Sequence, residues 1–190
     1  MLSFKSSFKQ MGVSLIEILV TVLILGIGLL GVAALQVSSL SSNQEGFFTS
    51  QATSIAEDIA SRMRATKVIT MIPNAPIDHA SLIANYRNDA AIACNAVPKV
   101  CRESAGQTAS CTLPEISTYD KYEICTIAQE TLPGGQVRIV GSVGSRLTIV
   151  VDWDSATART DIGNRANVNS NCLALTGSAE RNCILMEIVP

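Results

Sequence analysis

Residues Val13 to Leu35 form a run of 23 residues with one ionisable side chain, Glu17. A helix needs roughly 20 apolar residues to cross the hydrocarbon of a bilayer, so this run constrains the chain more than any other feature. Glu17 is also the only charged residue between Lys9 and Glu45. A carboxylate carried toward the bilayer centre costs about 2.5–3.5 kcal/mol on translocon scales unless it is paired. The purpose of the segment therefore has to account for Glu17.

The charges flanking the run set its direction. Lys5 and Lys9 precede it and no basic residue follows until Arg62, which predicts a cytoplasmic N-terminus and the rest of the chain across the membrane. Removing Lys5 and Lys9 from the 14 basic residues, and Glu17 from the 16 acidic ones, leaves 12 positive and 15 negative side chains. That balance gives no electrostatic case for nucleic-acid binding. Cys94, Cys101, Cys111, Cys125, Cys172 and Cys183 all lie beyond the run, on the side where disulfides persist. Six cysteines allow 15 pairings; the working expectation joins sequence neighbours, Cys94–Cys101, Cys111–Cys125 and Cys172–Cys183.

After the run the helical pattern continues without a breaker. Phe48, Ala52, Ile55, Ile59 and Met63 recur at spacings of 4, 3, 4 and 4, the stripe of an amphipathic helix. One helix is therefore expected from about Val13 to Lys67, followed by a Pro- and Asn-containing linker, "MIPNAPID". A second, shorter helix is expected in "HASLIANYRNDAAIAC", with Leu82, Tyr86, Ala90 and Ala93 on one side. Strands are expected at 122–128, 136–142, 146–153 and 183–189, all rich in Ile or Val. In 146–153, Leu147, Ile149, Val151 and Trp153 alternate with polar neighbours, the period of a sheet with one buried face. "LPGG" and "GSVGS" are turn signals, which suggests an antiparallel meander. The predicted class is α+β: a long N-terminal helix, its second half packed on a small antiparallel sheet. The polar loop between Trp153 and Cys183 would be stapled by Cys172 and Cys183.

Little in the chain suggests catalysis, a cofactor or a metal. His79 is the sole histidine and no CxxC spacing occurs, which disfavours a zinc site. "DWDS" at 152–155 is too short of oxygen donors for a complete calcium loop and reads as strand-end turn residues. "LPGG" lacks the lysine or threonine of a phosphate loop.

Three readings of the N-terminus compete. A plain signal anchor leaves Glu17 snorkelling at the cytoplasmic interface. A cleaved secretory signal needs a 7–15-residue apolar region ending at a small-residue site, whereas this run passes directly into an amphipathic helix. The third reading uses Gly12. The basic leader "MLSFKSSFKQMG", the glycine, and an apolar run with glutamate as its fifth residue, "VSLIE", resemble the class III signal of type IV pilins and type II secretion pseudopilins. The family usually has Phe or Met where Val13 stands.

That resemblance implies a leader of residues 1–12 cut after Gly12 by a prepilin peptidase, with methylation of the new amine on Val13. It also implies a membrane and assembly helix at 13–35 and a periplasmic pilin domain at 36–190. The amine on Val13 of one subunit would meet Glu17 of its neighbour in an apolar surround, so that Glu17 sets axial register, because an unpaired buried charge is far worse than a paired one. "IGLLGVAALQ" and "RLTIVVDWD" resemble the PilV-type minor pilins. The implied protein is a minor type IV pilin of the bacterial inner membrane, single-pass, later part of a surface pilus. Its implied partners are other minor pilins, the major pilin and the inner-membrane assembly platform. A minor pseudopilin of type II secretion would share the N-terminus, and a signal-anchored periplasmic binding protein would leave Glu17 without an assembly role.

Overall fold

The computed structural model describes residues 12–69, 79–102, 110–142, 146–154, 170–178 and 181–189. In chain order the elements are α1 (Leu15–Ile69), α2 (His79–Tyr86), α3 (Leu113–Thr131), β1 (Gln136–Ser142), β2 (Arg146–Asp154), α4 (Ser170–Thr176) and β3 (Arg181–Ile188). The leader through Met11, the Pro-rich linker and residues 155–169 lie outside the described residues. The chain divides into two compact units, Met1–Ser42 and Asn43–Pro190.

α1 is a single 55-residue helix that crosses the boundary between the units. In the second unit its stripe of Ala52, Ile55, Ala56, Ile59, Ala60 and Met63 is buried, with Phe48 packed against the same core. The three strands form one antiparallel sheet in the order β1-β2-β3. Leu147, Ile149, Val151 and Trp153 of β2 are fully buried in the core that α1 joins. The alternation read from the sequence sends these four to one face, as expected of a pleated strand. β2 is nevertheless buried on both faces. Val150 lies beneath Cys172 and Cys183, with Val140 and Leu175 beside it, so α4 and its disulfide cover the second face.

Two elements differ from the expectation. The segment 122–128 is helical, within α3, not a strand. Ile124, Cys125 and Ala128 form its buried side, and its start is defined by Pro114 in the first turn and by Glu115, whose carboxylate accepts the Thr112 N–H at 2.8 Å. Thr112 and Glu115 stand in the spacing of a capping box, a signal that outweighs the β-branched residues downstream. "LPGG" accordingly joins α3 to β1 and is not a hairpin between strands. Gly134 has φ +57°, and a Cβ on Gly135 would fall 2.1 Å from the Ala128 carbonyl oxygen, so both glycines are needed there.

The second helix stops at Tyr86 and does not reach Cys94. Asn88 turns the chain by donating its side-chain amide to the Ala90 carbonyl at 2.8 Å, the local competition that takes asparagine out of helices. Residues 88–92 then run along β1. Asn88 and Ile139 exchange backbone hydrogen bonds of 2.7 and 3.1 Å, and the Ile92 N–H reaches the Val137 carbonyl at 2.9 Å. The edge of β1 is thereby occupied.

Candidate functional site

Gly12, Val13 and Ser14 precede the first turn of α1 and are exposed. Glu17 is the acidic residue of that turn; its N–H bonds to the Ser14 carbonyl at 3.0 Å. An acid in this place also meets the positive end of the helix dipole, a local role that the sequence reading did not assign. From Val13 to Leu35 the large apolar side chains are exposed, between 46% for Val20 and 90% for Leu15. α1 is thus long and apolar enough to cross a membrane, and none of that stretch is buried in the protein. Gly26, Gly28 and Gly31 have nothing within 4 Å of where a Cβ would stand.

The second unit ties the lower half of α1 to its neighbours through charge as well as apolar packing. Arg62 pairs with Asp58 one turn earlier at 3.0 Å, with Asp120 of α3 at 3.3 Å and with Glu123 of α3. Arg102 reaches the same Glu123 carboxylate at 2.8 Å. The Tyr86 hydroxyl donates to Asp120 at 2.6 Å, and Thr66 Oγ1 lies 3.0 Å from the phenol oxygen. Burial opposes the charge on Arg62, but hydrogen bonds to Asp58 and Glu123 outweigh it and raise its pKa. Burial, and then the bond to Asp120, push the Tyr86 phenol well above its ordinary value. Lys121 donates to the Asn85 carbonyl at 2.9 Å, and burial lowers its pKa.

A second charged cluster lies across the sheet. The Asp152 carboxylate is fully buried between Arg138 of β1 and Arg181 of β3, and both guanidiniums donate to it. Arg181 also reaches Asp154 at 2.5 Å and the Gly134 carbonyl at 2.6 Å. Burial pushes the Asp152 carboxyl above the usual range, and the two arginines pull it back without cancelling the shift. Both aspartates of "DWDS" therefore lie at the end of β2, as expected of strand-end residues, but they serve an ion cluster and not a turn. The sequence reading missed both networks. The Asp58–Arg62 spacing of four residues is a local signal that was there to find, whereas Asp120, Glu123 and Arg181 carry none.

The six cysteines form Cys94–Cys125, Cys101–Cys111 and Cys172–Cys183. Only the third matches the neighbour-pairing expectation. Cys94 sits on the segment that borders β1, and α3 brings Cys125 to it with a Cα separation of 5.7 Å, within bonding range. That leaves Cys101 and Cys111 to close the loop before α3. Cys125 is buried and Cys94 packs against the same core. His79 opens α2, and its side chain lies outside the described residues. Among the described residues no group of three or more His, Cys, Asp or Glu side chains is arranged to hold a metal ion. Comparison with family models, with curated proteins and with solved structures returned no match for this chain.

Proposed function

We propose that this chain is a minor type IV pilin, a structural subunit that helps prime pilus assembly together with other minor pilins. The observation that carries this reading is α1 itself. One unbroken helix begins just after Gly12–Val13, places Glu17 in its first turn, leaves its first half wholly exposed and apolar, and buries its second half in a disulfide-bearing α+β domain. The exposed half suits two environments in turn, the bilayer and then the packed helices of a filament. In the filament the Val13 amine of one subunit, freed by removal of the leader, would neutralise Glu17 of the next. Three disulfides fit a domain carried to an oxidising compartment.

Mass spectrometry of the protein extracted from membranes tests the processing. A terminus at methylated Val13 supports the reading, and an intact Met1 terminus refutes it. Assembly is tested by Glu17→Ala, which should leave the domain folded, with its disulfides formed, while reducing its recovery in sheared filaments at least several-fold. Wild-type recovery of the variant would remove the proposed role of Glu17.

A further inference from the structure

Glu45 stands on the core-facing side of α1, one turn before Phe48, in the series 45, 48, 52, 55, 59. It is a carboxylate where the stripe is otherwise apolar. It is also the first residue of α1 to be held by the domain: the described side chains from Gly12 to Gln44 are all exposed. Glu45 Oε1 accepts the Asn182 side-chain amide at 2.6 Å. Its Oε2 is buried and has no hydrogen-bond partner, and the same is true of the indole Nε1 of Trp153, a residue with no exposed surface. A buried polar group without a partner is rare in a folded domain and asks for an explanation. The orphan acceptor and the orphan donor have a neighbour in common, Asn182. Trp153 and Asn182 are cross-strand partners, so their side chains share a face with Cβ atoms about 4.5–5.5 Å apart. The Glu45 carboxylate rests on Asn182.

We infer that Glu45 is a two-position latch fastening the domain-bound half of α1 to the sheet. In one position its carboxylate holds the Asn182 amide of β3; in the other it holds the Trp153 indole N–H of β2. Asn182 is fixed by its neighbour, since its side-chain oxygen accepts the Cys183 N–H at 3.0 Å, so the carboxylate is the member that moves. The helix around it is suited to a small shift. Ser38, Ser39, Ser41, Ser42, Asn43 and Gly46 surround the unit boundary, and these are weak helix formers. A pull along α1 reaches the domain first at Glu45, and exchange between the two donors lets the first turn give without releasing the helix. The latch does not depend on the proposed pilin function.

The full-length chain in detergent micelles tests it, because Trp153 is the sole tryptophan and gives one indole N–H resonance. Asn182→Ala should free the carboxylate for Trp153, moving the indole proton downfield and slowing its exchange with solvent. Glu45→Ala should move it upfield and speed amide deuterium exchange over residues 43–48 by roughly tenfold, with β2 amides still protected. Glu45→Gln, which keeps the shape and an acceptor oxygen, should recover part of both effects. An indole resonance unmoved by Asn182→Ala, or unchanged exchange at 43–48 in Glu45→Ala, overturns the inference. If Glu45→Ala unfolds the domain and β2 loses protection, coincident indole spectra for Glu45→Gln and Asn182→Ala overturn it instead.

Discussion

Replacing Arg181 with methionine removes one of the two cations that hold Asp152 and leaves a carboxylate with no exposed surface facing Arg138 alone. Methionine keeps most of the side-chain length, so the lost term is mainly electrostatic. Breaking a buried ion pair from one side costs about 3–5 kcal/mol. The Asp154 contact adds almost nothing, because that carboxylate is 61% exposed. The hydrogen bond to the Gly134 carbonyl adds about 1 kcal/mol. A loss of about 4–6 kcal/mol is expected, or roughly 8–24 °C in Tm at 2–4 °C per kcal/mol for a domain of this size.

The pH dependence has a definite sign. Burial already raises the Asp152 carboxyl in the folded state, and loss of Arg181 raises it further. The folded state then binds more protons than the unfolded one, so the stability due to this group is complete below the ordinary aspartate value of about 3.9. It is lost as pH rises through the folded value. The deficit of Arg181→Met should therefore be smallest near pH 4 and largest at neutral pH. Thermal unfolding followed by Trp153 emission at both pH values measures it, and Arg181→Met/Asp152→Asn, which removes the stranded charge, should recover at least half the loss at pH 7. A Tm within about 1 °C of wild type at pH 7, or a deficit equal at the two pH values, would refute the reasoning.

Removing the Cys94–Cys125 bridge by a double Ala substitution opens a 31-residue connection, worth about 4 kcal/mol on the chain-entropy model against about 3 for the 10-residue Cys101–Cys111 loop; denaturant midpoints of the two double variants should rank in that order. Tyr86→Phe deletes the hydroxyl that bonds to Asp120 and should cost about 1–3 kcal/mol in the same denaturation measurement, because the remaining carboxylate oxygen is poorly solvated. Gly134→Ala places a Cβ 2.2 Å from Asp154 Oδ2 at a φ of +57°, and a loss of about 1–2 kcal/mol or more is expected from calorimetry; a neutral result would show that the α3–β1 turn relaxes freely.

Much of the fold is legible in local patterns. The 23 apolar residues, the stripe from Phe48 to Met63 and the alternation from Leu147 to Trp153 each repeat at a helix or strand period, and each element forms where its period says. The reading of 122–128 failed because Ile, Cys and Ile suit either a strand or a buried helix face. The Thr112–Glu115 cap some ten residues upstream decided between them. The helix after His79 ended early because Asn88 offered its backbone to β1, a partner about 50 residues away in sequence.

What the sequence by itself determined is the apolar half of α1, the amphipathic half that continues it, and the position of Gly12, Val13 and Glu17 at its start, because those depend only on neighbours within a few turns. What only the tertiary structure decided is which cysteines meet, which face of β2 receives α4, and what surrounds Asp152 and Glu45. Those outcomes join residues distant in the chain, such as Cys94 and Cys125 or Glu45 and Asn182. No periodicity encodes such meetings; they follow from how the elements pack once their apolar faces are buried together.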